Sequence, residues 1–291
     1  MLQSIAAASL GLATPPSFDA NRPTLFEPLQ PRSSARSVLV RNLWQFQMPY
    51  KDAHGWQRHL VAQRIEAMKE GADDQSRDAV ILLQHPPVFT LGSSSTLDNV
   101  RDKQLGGFDL VRTERGGEVT YHGPGQLVLY PVLDLRAYRQ DLHWYLRALE
   151  EVAIRTLGDF GVPAHREAGL TGVWTPSGKA CAIGVKVSKW VSMHGLSLNV
   201  APEMSHYEHI VPCGIDDKPV TSLMDELRAS GQPAKERFYL LEEASTRLLH
   251  HFGEVFEVEL DDTEALSGGD VRYITKGGGS AFAGATTVQG G

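Results

Sequence analysis

The chain has two cysteines, Cys181 and Cys213, and their surroundings differ. Cys213 stands in Val211-Pro212-Cys213-Gly214-Ile215. Proline restrains the backbone before the thiol and glycine leaves room after it, so a turn presents the sulfur, which suits a nucleophile. Cys181 lies within the alternating run 179–187, where a cysteine acts as a small packed hydrophobe. An ordinary thiol, with a pKa of about 8.5, is mostly protonated at neutral pH and needs a nearby cation or base to attack. A second stretch, 115–131, reads Arg-Gly-Gly-Glu-Val-Thr-Tyr-His-Gly-Pro-Gly-Gln-Leu-Val-Leu-Tyr-Pro. Its glycines expose backbone N–H groups that can wrap a ligand, and Arg115, Thr120, Tyr121, His122 and Gln126 sit among them. His122, His194, His206 and His209 raise the question of a metal. None lies in a helical pair with a supporting carboxylate, and neither cysteine has a CxxC partner, so no metal site is expected.

Positioning these residues falls to a mixed set of elements. Residues 43–46 read as a short edge strand. From Tyr50 onward Trp56, Leu60, Val61, Ile65 and Met68 share a helical face, with Gly71 placed to end the helix. Residues 79–83, 88–91, 109–112 and 127–133 read as strands. The face made by Leu142, Tyr145, Leu146, Leu149, Val152, Ala153, Thr156, Leu157 and Phe160 predicts a long helix stopped at Gly161. Residues 169–175 predict a strand, and Pro176-Ser177-Gly178 a turn. Runs 179–187 and 193–200 alternate, which lines up Ala182, Gly184, Gly195 and Ser197 on faces with little bulk. A ligand chain can lie against such a surface, or a neighbouring element can pack closely on it. Ser222 is placed to cap a short helix with Asp225 in its first turn. Phe238, Leu241, Ser245, Leu248 and Phe252 predict another helix, and 255–260 a final strand. Strands and helices do not alternate as in a doubly wound fold, so the expected class is α+β, mostly antiparallel sheet with helices packed on it.

The 291 residues can bury a sizeable core. A hydrophobic content of 42% with 22% charged residues is that of a soluble globular protein. The net charge of -7 argues against a general nucleic-acid binder, and no apolar run is long enough to span a bilayer. Two cysteines make no disulfide framework and fit a reduced compartment. Residues 1–38 are rich in Ser, Ala and Pro and carry Arg22, Arg32 and Arg36 with only Asp19 and Glu27 as acids. They read as an organelle transit peptide or a disordered leader, ahead of one catalytic domain at 39–262. The Gly-rich stretch 263–291 reads as a disordered tail.

The 115–131 stretch, Lys179-Ala-Cys-Ala-Ile-Gly-Val-Lys-Val-Ser, His194-Gly-Leu-Ser-Leu-Asn and Ile210-Val-Pro-Cys-Gly-Ile together resemble, in order, the motifs of the octanoyltransferases, also called lipoyl(octanoyl) transferases or lipoate–protein ligase B. The resemblance implies the biotin/lipoate protein ligase-like fold, related to class II synthetases. It implies transfer of an octanoyl group from octanoyl-acyl carrier protein to a lysine of a lipoyl domain, in a 2-oxoacid dehydrogenase E2 subunit or glycine cleavage H protein. Cys213 becomes the nucleophile and Lys179 its catalytic partner. Arg115, Gly116, Gly117, Glu118, Val119, Thr120, Tyr121 and His122 become substrate-binding residues, as do Ala182, Ile183, Gly184, Gly195, Leu196 and Ser197. Ser197 stands where the family pattern has alanine. No cofactor is implied, because passing an acyl group from thioester to amide is downhill. Two rivals are an ATP-dependent lipoate–protein ligase, which needs no cysteine, and a non-enzymatic lipoyl-domain-binding module, which needs neither Cys213 nor Lys179. The likeness extends to plant plastid members, so a plastid is the expected location, with the mitochondrion, or the cytoplasm of a bacterial source, as alternatives. A monomer with no nucleic-acid or membrane partner is expected.

Overall fold

A computed structural model describes residues 26–30, 36–70, 78–93, 95–216, 218–233 and 235–263. In chain order the elements are β1 (Arg36–Gln47), α1 (Tyr50–Glu70), β2 (Asp78–Gln84), β3 (Val88–Leu91), β4 (Asp109–Arg112), β5 (Thr120–His122) and β6 (Gln126–Val132). There follow α2 (Leu142–Gly158), β7 (Val173–Thr175), β8 (Gly178–Ser188), β9 (Val191–Asn199), α3 (Leu223–Ala229), α4 (Arg237–Phe256) and β10 (Val258–Asp261). One seven-stranded sheet runs β10-β1-β2-β6-β9-β8-β7, and a three-stranded sheet runs β4-β3-β5. From β2 through β7 every pairing of the large sheet is antiparallel, while β10, β1 and β2 are mutually parallel. The expected α+β class with a mostly antiparallel sheet is the architecture observed.

The apolar run of β2 is continuous because both faces of the sheet are covered. Val80 and Leu82, with Leu127 and Leu129 of β6, point into the large core with α2 and α4. Ile81 and Leu83, with Val128 and Tyr130, point the other way, against Ala53 and Trp56 of α1. The helix starts are set locally. Asp141 accepts from the N–H groups of His143 and Trp144 at the head of α2, and Ser222 accepts from Asp225 N–H at the head of α3. Each cap satisfies donors that a helix leaves open.

Four expectations need correction. Residues 43–46 belong to a 12-residue strand that lies between β10 and β2 and is not an edge. The polar pair Arg41-Asn42 breaks its apolar pattern and hides its length. Of 169–175 only Val173–Thr175 is strand. Gly169 and Gly172, with φ of 75° and 126°, hold the rest as loop. The final strand begins only at Val258, because α4 runs through Phe256 and ends where Glu257 takes a left-handed φ of 52°. Phe238, placed on the buried face of α4, is exposed instead and meets Trp44 at 5.2 Å between ring centroids. Gly71, the tail from 264, and most of 1–35 lie outside the described residues. Within the leader range, β1 already begins at Arg36, and Phe26 and Leu29 pack against the large core.

Candidate active site

A cleft of about 210 Å³ opens on the α1 side of the large sheet. Cys213 lies on its wall, partly exposed, in a short 3-10 turn, Pro212–Gly214. Its φ of 58° is left-handed, which costs a non-glycine residue on the order of 1 kcal/mol or more. The turn is pinned by Cys213 N–H donating to Val119 O at 2.9 Å and Val211 N–H to Asn99 O at 2.8 Å.

Lys179 reaches the same cleft from β8. Strict alternation would send it the way of Cys181, into the core. A bulge intervenes: Val173 pairs with Cys181 but Trp174 pairs with Lys179, so Ala180 is the extra residue. Ala180 and Cys181 therefore both pack in the large core, and Lys179 joins Ala182 and Gly184 at the cleft. Bulges re-aim side chains in this way. Lys179 is only 4% exposed, and its Nζ lies 5.4 Å from the Trp174 ring centroid. Among the described residues it forms no ion pair. Gly172 makes its berth possible, since a Cβ there would fall 2.4 Å from Lys179 Cε and 2.7 Å from Cys181 O. Gly172 N–H in turn donates to buried Glu150 at 3.0 Å, and Arg166 Nε holds that carboxylate at 3.1 Å.

The loop 115–119 wraps around its own guanidinium. Arg115 Nη2 donates to Thr90 O and Oγ1, each at 2.8 Å, and to Glu118 O at 2.9 Å. Gly116 N–H fastens the loop to β8 through Val185 O at 3.0 Å. Along β5, Thr120 and His122 turn to the cleft, while Val119 and Tyr121 pack with Phe89 and Tyr207 in a separate cluster. Opposite them, Ala182 pairs with Ser197 and Gly184 with Gly195 across β8 and β9, giving two rows of small residues. Backbone approach also requires those glycines: a Cβ on Gly195 would sit 2.1 Å from Leu129 O, and one on Gly184 2.9 Å from Gly116 O.

Residues 49–258 match the lipoyl protein ligase A/B catalytic domain. The chain is 51% identical over 219 residues to the octanoyltransferase of Nostoc punctiforme, covering 75% of this chain and 88% of that one. It is 43% identical over 223 residues to a chloroplastic octanoyltransferase of Arabidopsis thaliana, covering 76% and 79%.

The chain belongs to the octanoyltransferase family.

Its fold is also that of lipoate-protein ligase A in a crystal structure with ATP, at 12% identity and a TM-score of 0.58, covering 84% of this chain and 94% of that one. The chain is thus an acyltransferase whose fold is shared with that ligase.

Of the residues expected at its site, the fold brings together Cys213, Lys179, Arg115, Gly117, Glu118, Thr120, His122, Ala182, Ile183, Gly184, Gly195, Leu196 and Ser197 along the cleft, Ile183 and Leu196 with their side chains in the large core. Gly116, Val119 and Tyr121 do not line the cleft. A contiguous motif on a strand sends alternate side chains to opposite faces, and Gly116 and Val119 contribute through their backbone bonds instead. Sequence reasoning passed over Tyr50 and Tyr130, and weighed His194 only as a metal ligand; all three line the cleft. Tyr50 marks the start of α1, and a helix start carries no chemical signal by itself.

Burial governs the protonation states. It pushes the Tyr50 hydroxyl up to about 12, so the group stays a donor. It pushes the Cys181 thiol far above its usual value, so that sulfur stays protonated. It holds His122 well below the usual histidine range. His122 Nδ1 lies 2.7 Å from Gln126 Oε1, which can only accept, so Nδ1 carries the proton and Nε2 keeps its lone pair. His206 is engaged by Tyr121 OH at 2.7 Å, and His209 by Asp102 at 3.1 Å.

Proposed function

We propose that the enzyme carries the octanoyl group as a thioester on Cys213 and takes it from acyl carrier protein. The thiolate of Cys213 attacks the donor's thioester carbonyl, the carrier's thiol leaves with a proton, and the octanoyl-cysteine thioester forms. The ε-amine of a lipoyl-domain lysine then attacks that thioester. An amide forms, the amine loses a proton, and Cys213 is released. Lys179 promotes the thiolate by its charge and moves the proton in both steps. Arg115 Nε and Thr120 Oγ1 are buried, line the cleft and have no protein partner. Buried polar atoms without partners call for a ligand, and an acyl carbonyl turning into an oxyanion is the kind of acceptor they suit. Val128, Leu170 and Ile215 supply apolar wall for an unbranched acyl chain.

The observation that carries this reading is the thiol held in a left-handed turn on the wall of the cleft that Lys179 also lines. The test is incubation with octanoyl-acyl carrier protein and an unmodified lipoyl domain in nucleotide-free buffer. The lipoyl domain should gain one octanoyl group on its target lysine. A strict requirement for ATP, or no transfer, overturns the reading. For location we propose the plastid, supported by the chloroplastic and cyanobacterial relatives. A reporter fused behind residues 1–41 should enter plastids, and one that stays in the cytosol counts against that address.

A further inference from the structure

Beside the cleft three side chains from separate elements converge. His54 comes from α1, Glu114 from the loop just before Arg115, and His194 from β9. His54 Nε2 lies 3.0 and 2.9 Å from the two oxygens of Glu114, and His194 Nε2 lies 3.8 Å from one of them. The three donor atoms all fall within 4.8 Å of one another. The two imidazoles are stacked 19° from parallel with centroids 5.6 Å apart, and each Nε2 lies near the Glu114 carboxylate.

A hydrogen-bonded His54–Glu114 pair explains two of these groups, and His194 reaches the same carboxylate only at 3.8 Å. His194 is 1% exposed, and its Nε2 is buried with no hydrogen-bond partner, since 3.8 Å is too long for one. Leaving such a nitrogen unsatisfied costs about 1–3 kcal/mol. α1 holds the residue from behind, where Gln57 Oε1 accepts from His194 N–H at 2.8 Å. The geometry points to a divalent transition-metal site, best suited to Zn²⁺, formed by His54 Nε2, the Glu114 carboxylate and His194 Nε2 on the wall of the cleft. Two imidazoles and a carboxylate are a donor set that zinc takes, with water in the fourth position. Bonds of about 2.0–2.1 Å in a tetrahedron set neighbouring donors roughly 3.3 Å apart. The observed spacings of 2.9 and 3.8 Å bracket that value. Glu114 and His54 retain partial solvent exposure, with side chains 36% and 19% accessible, which gives an ion a route in. A bound ion would tie α1, the loop carrying Arg115 and the strand carrying Gly195 to one another and so stiffen the cleft. The inference departs from the metal-free expectation, which considered His194 but had no means of setting His54 and Glu114 beside it.

The test uses the full chain, stripped with a chelator and titrated with Zn²⁺ alone by calorimetry, with bound metal counted by mass spectrometry. Two other zinc-binding groups are removed first by Cys213→Ser and His250→Gln, because His250, His251 and Glu254 form a second grouping on α4. One Zn²⁺ per chain is expected in that background, together with a rise in melting temperature. His54→Ala and Glu114→Gln, each checked for an unchanged circular dichroism spectrum, should weaken binding at least about 100-fold. Co²⁺ in place of Zn²⁺ should give visible absorption bands of a tetrahedral site, lost in both variants. Absence of stoichiometric binding in the background chain, or binding untouched by both substitutions, overturns the inference.

Discussion

The two cysteines sit on strands and turns of one small region yet meet opposite physics. Cys181 is fully buried among apolar side chains, and burial above all drives its thiol toward the protonated form. Cys213 is partly exposed, strained into a left-handed turn, and lines the cleft with a buried lysine. A single inserted residue, Ala180, makes the difference possible, because it turns Lys179 away from Cys181's core and into the cleft. On the proposed reading, backbone geometry separates the reacting thiol from the packed one before any side-chain chemistry is considered.

The largest expected effect breaks the comparison from the reactive side. Cys213→Ser should lower octanoyl transfer by at least about 10³-fold, because no other group in the cleft can form the thioester. Retained activity in a steady-state transfer assay would remove Cys213 from the reaction. Next comes its partner. Lys179→Ala should slow acylation by about 10²–10⁴-fold, and Lys179→Arg should fail similarly, because arginine keeps the charge but cannot release a proton at neutral pH. Single-turnover rates for each half-reaction decide; an arginine variant as fast as the parent would reduce the role of Lys179 to charge alone.

Glycines sharpen the same contrast. At Gly172 a Cβ meets Lys179 Cε, whereas at Gly169 it meets nothing within 4 Å, although both carry positive φ. Both alanine variants should lose about 1–3 kcal/mol of stability to backbone strain. Only Gly172→Ala should also slow acylation, by roughly tenfold, since only it displaces the lysine. Equal rates in the two variants would show that the berth of Lys179 does not matter.

The burial that silences Cys181 also acts on His85, whose imidazole is pushed down from 6.5 to about 4. The unfolded chain therefore takes up this proton on acidification before the native protein does, and stability falls as pH drops through that window. Going from about pH 7 to about pH 5, this single group should remove about 2 kcal/mol. His85→Gln should flatten that part of the pH dependence of the urea midpoint, and an unchanged slope would contradict it. His85 also has a visible structural task, with Nδ1 at 2.6 Å from Met48 O and Nε2 at 2.8 Å from Tyr130 OH. The smallest effect belongs to Cys181→Ala, which should cost on the order of 1 kcal/mol of stability and leave transfer near the parental rate.

Much of this was legible in the sequence because the signals are local. The face of α2, the cap at Ser222 and the turn around Cys213 each depend on residues within a few positions. The small-residue rows followed from alternation, since β8 and β9 keep register through Ala182–Ser197 and Gly184–Gly195. What stayed hidden depends on partners distant in sequence. The bulge at Ala180 exists only against Trp174 of β7. The length of β1 is fixed by pairing with β2 and β10 across polar residues that mask it. His54 and Glu114 are 60 positions apart, and nothing near either one announces the other.

The most direct test of the account is where the acyl group rests. The protein is mixed with octanoyl-acyl carrier protein in the absence of acceptor, quenched in acid, and its intact mass and peptides are measured. The account predicts one octanoyl adduct per chain, labile to hydroxylamine as a thioester is, on the peptide that contains Cys213. An adduct on Cys181, or transfer to the lipoyl domain with no acyl-enzyme on any cysteine, would contradict it.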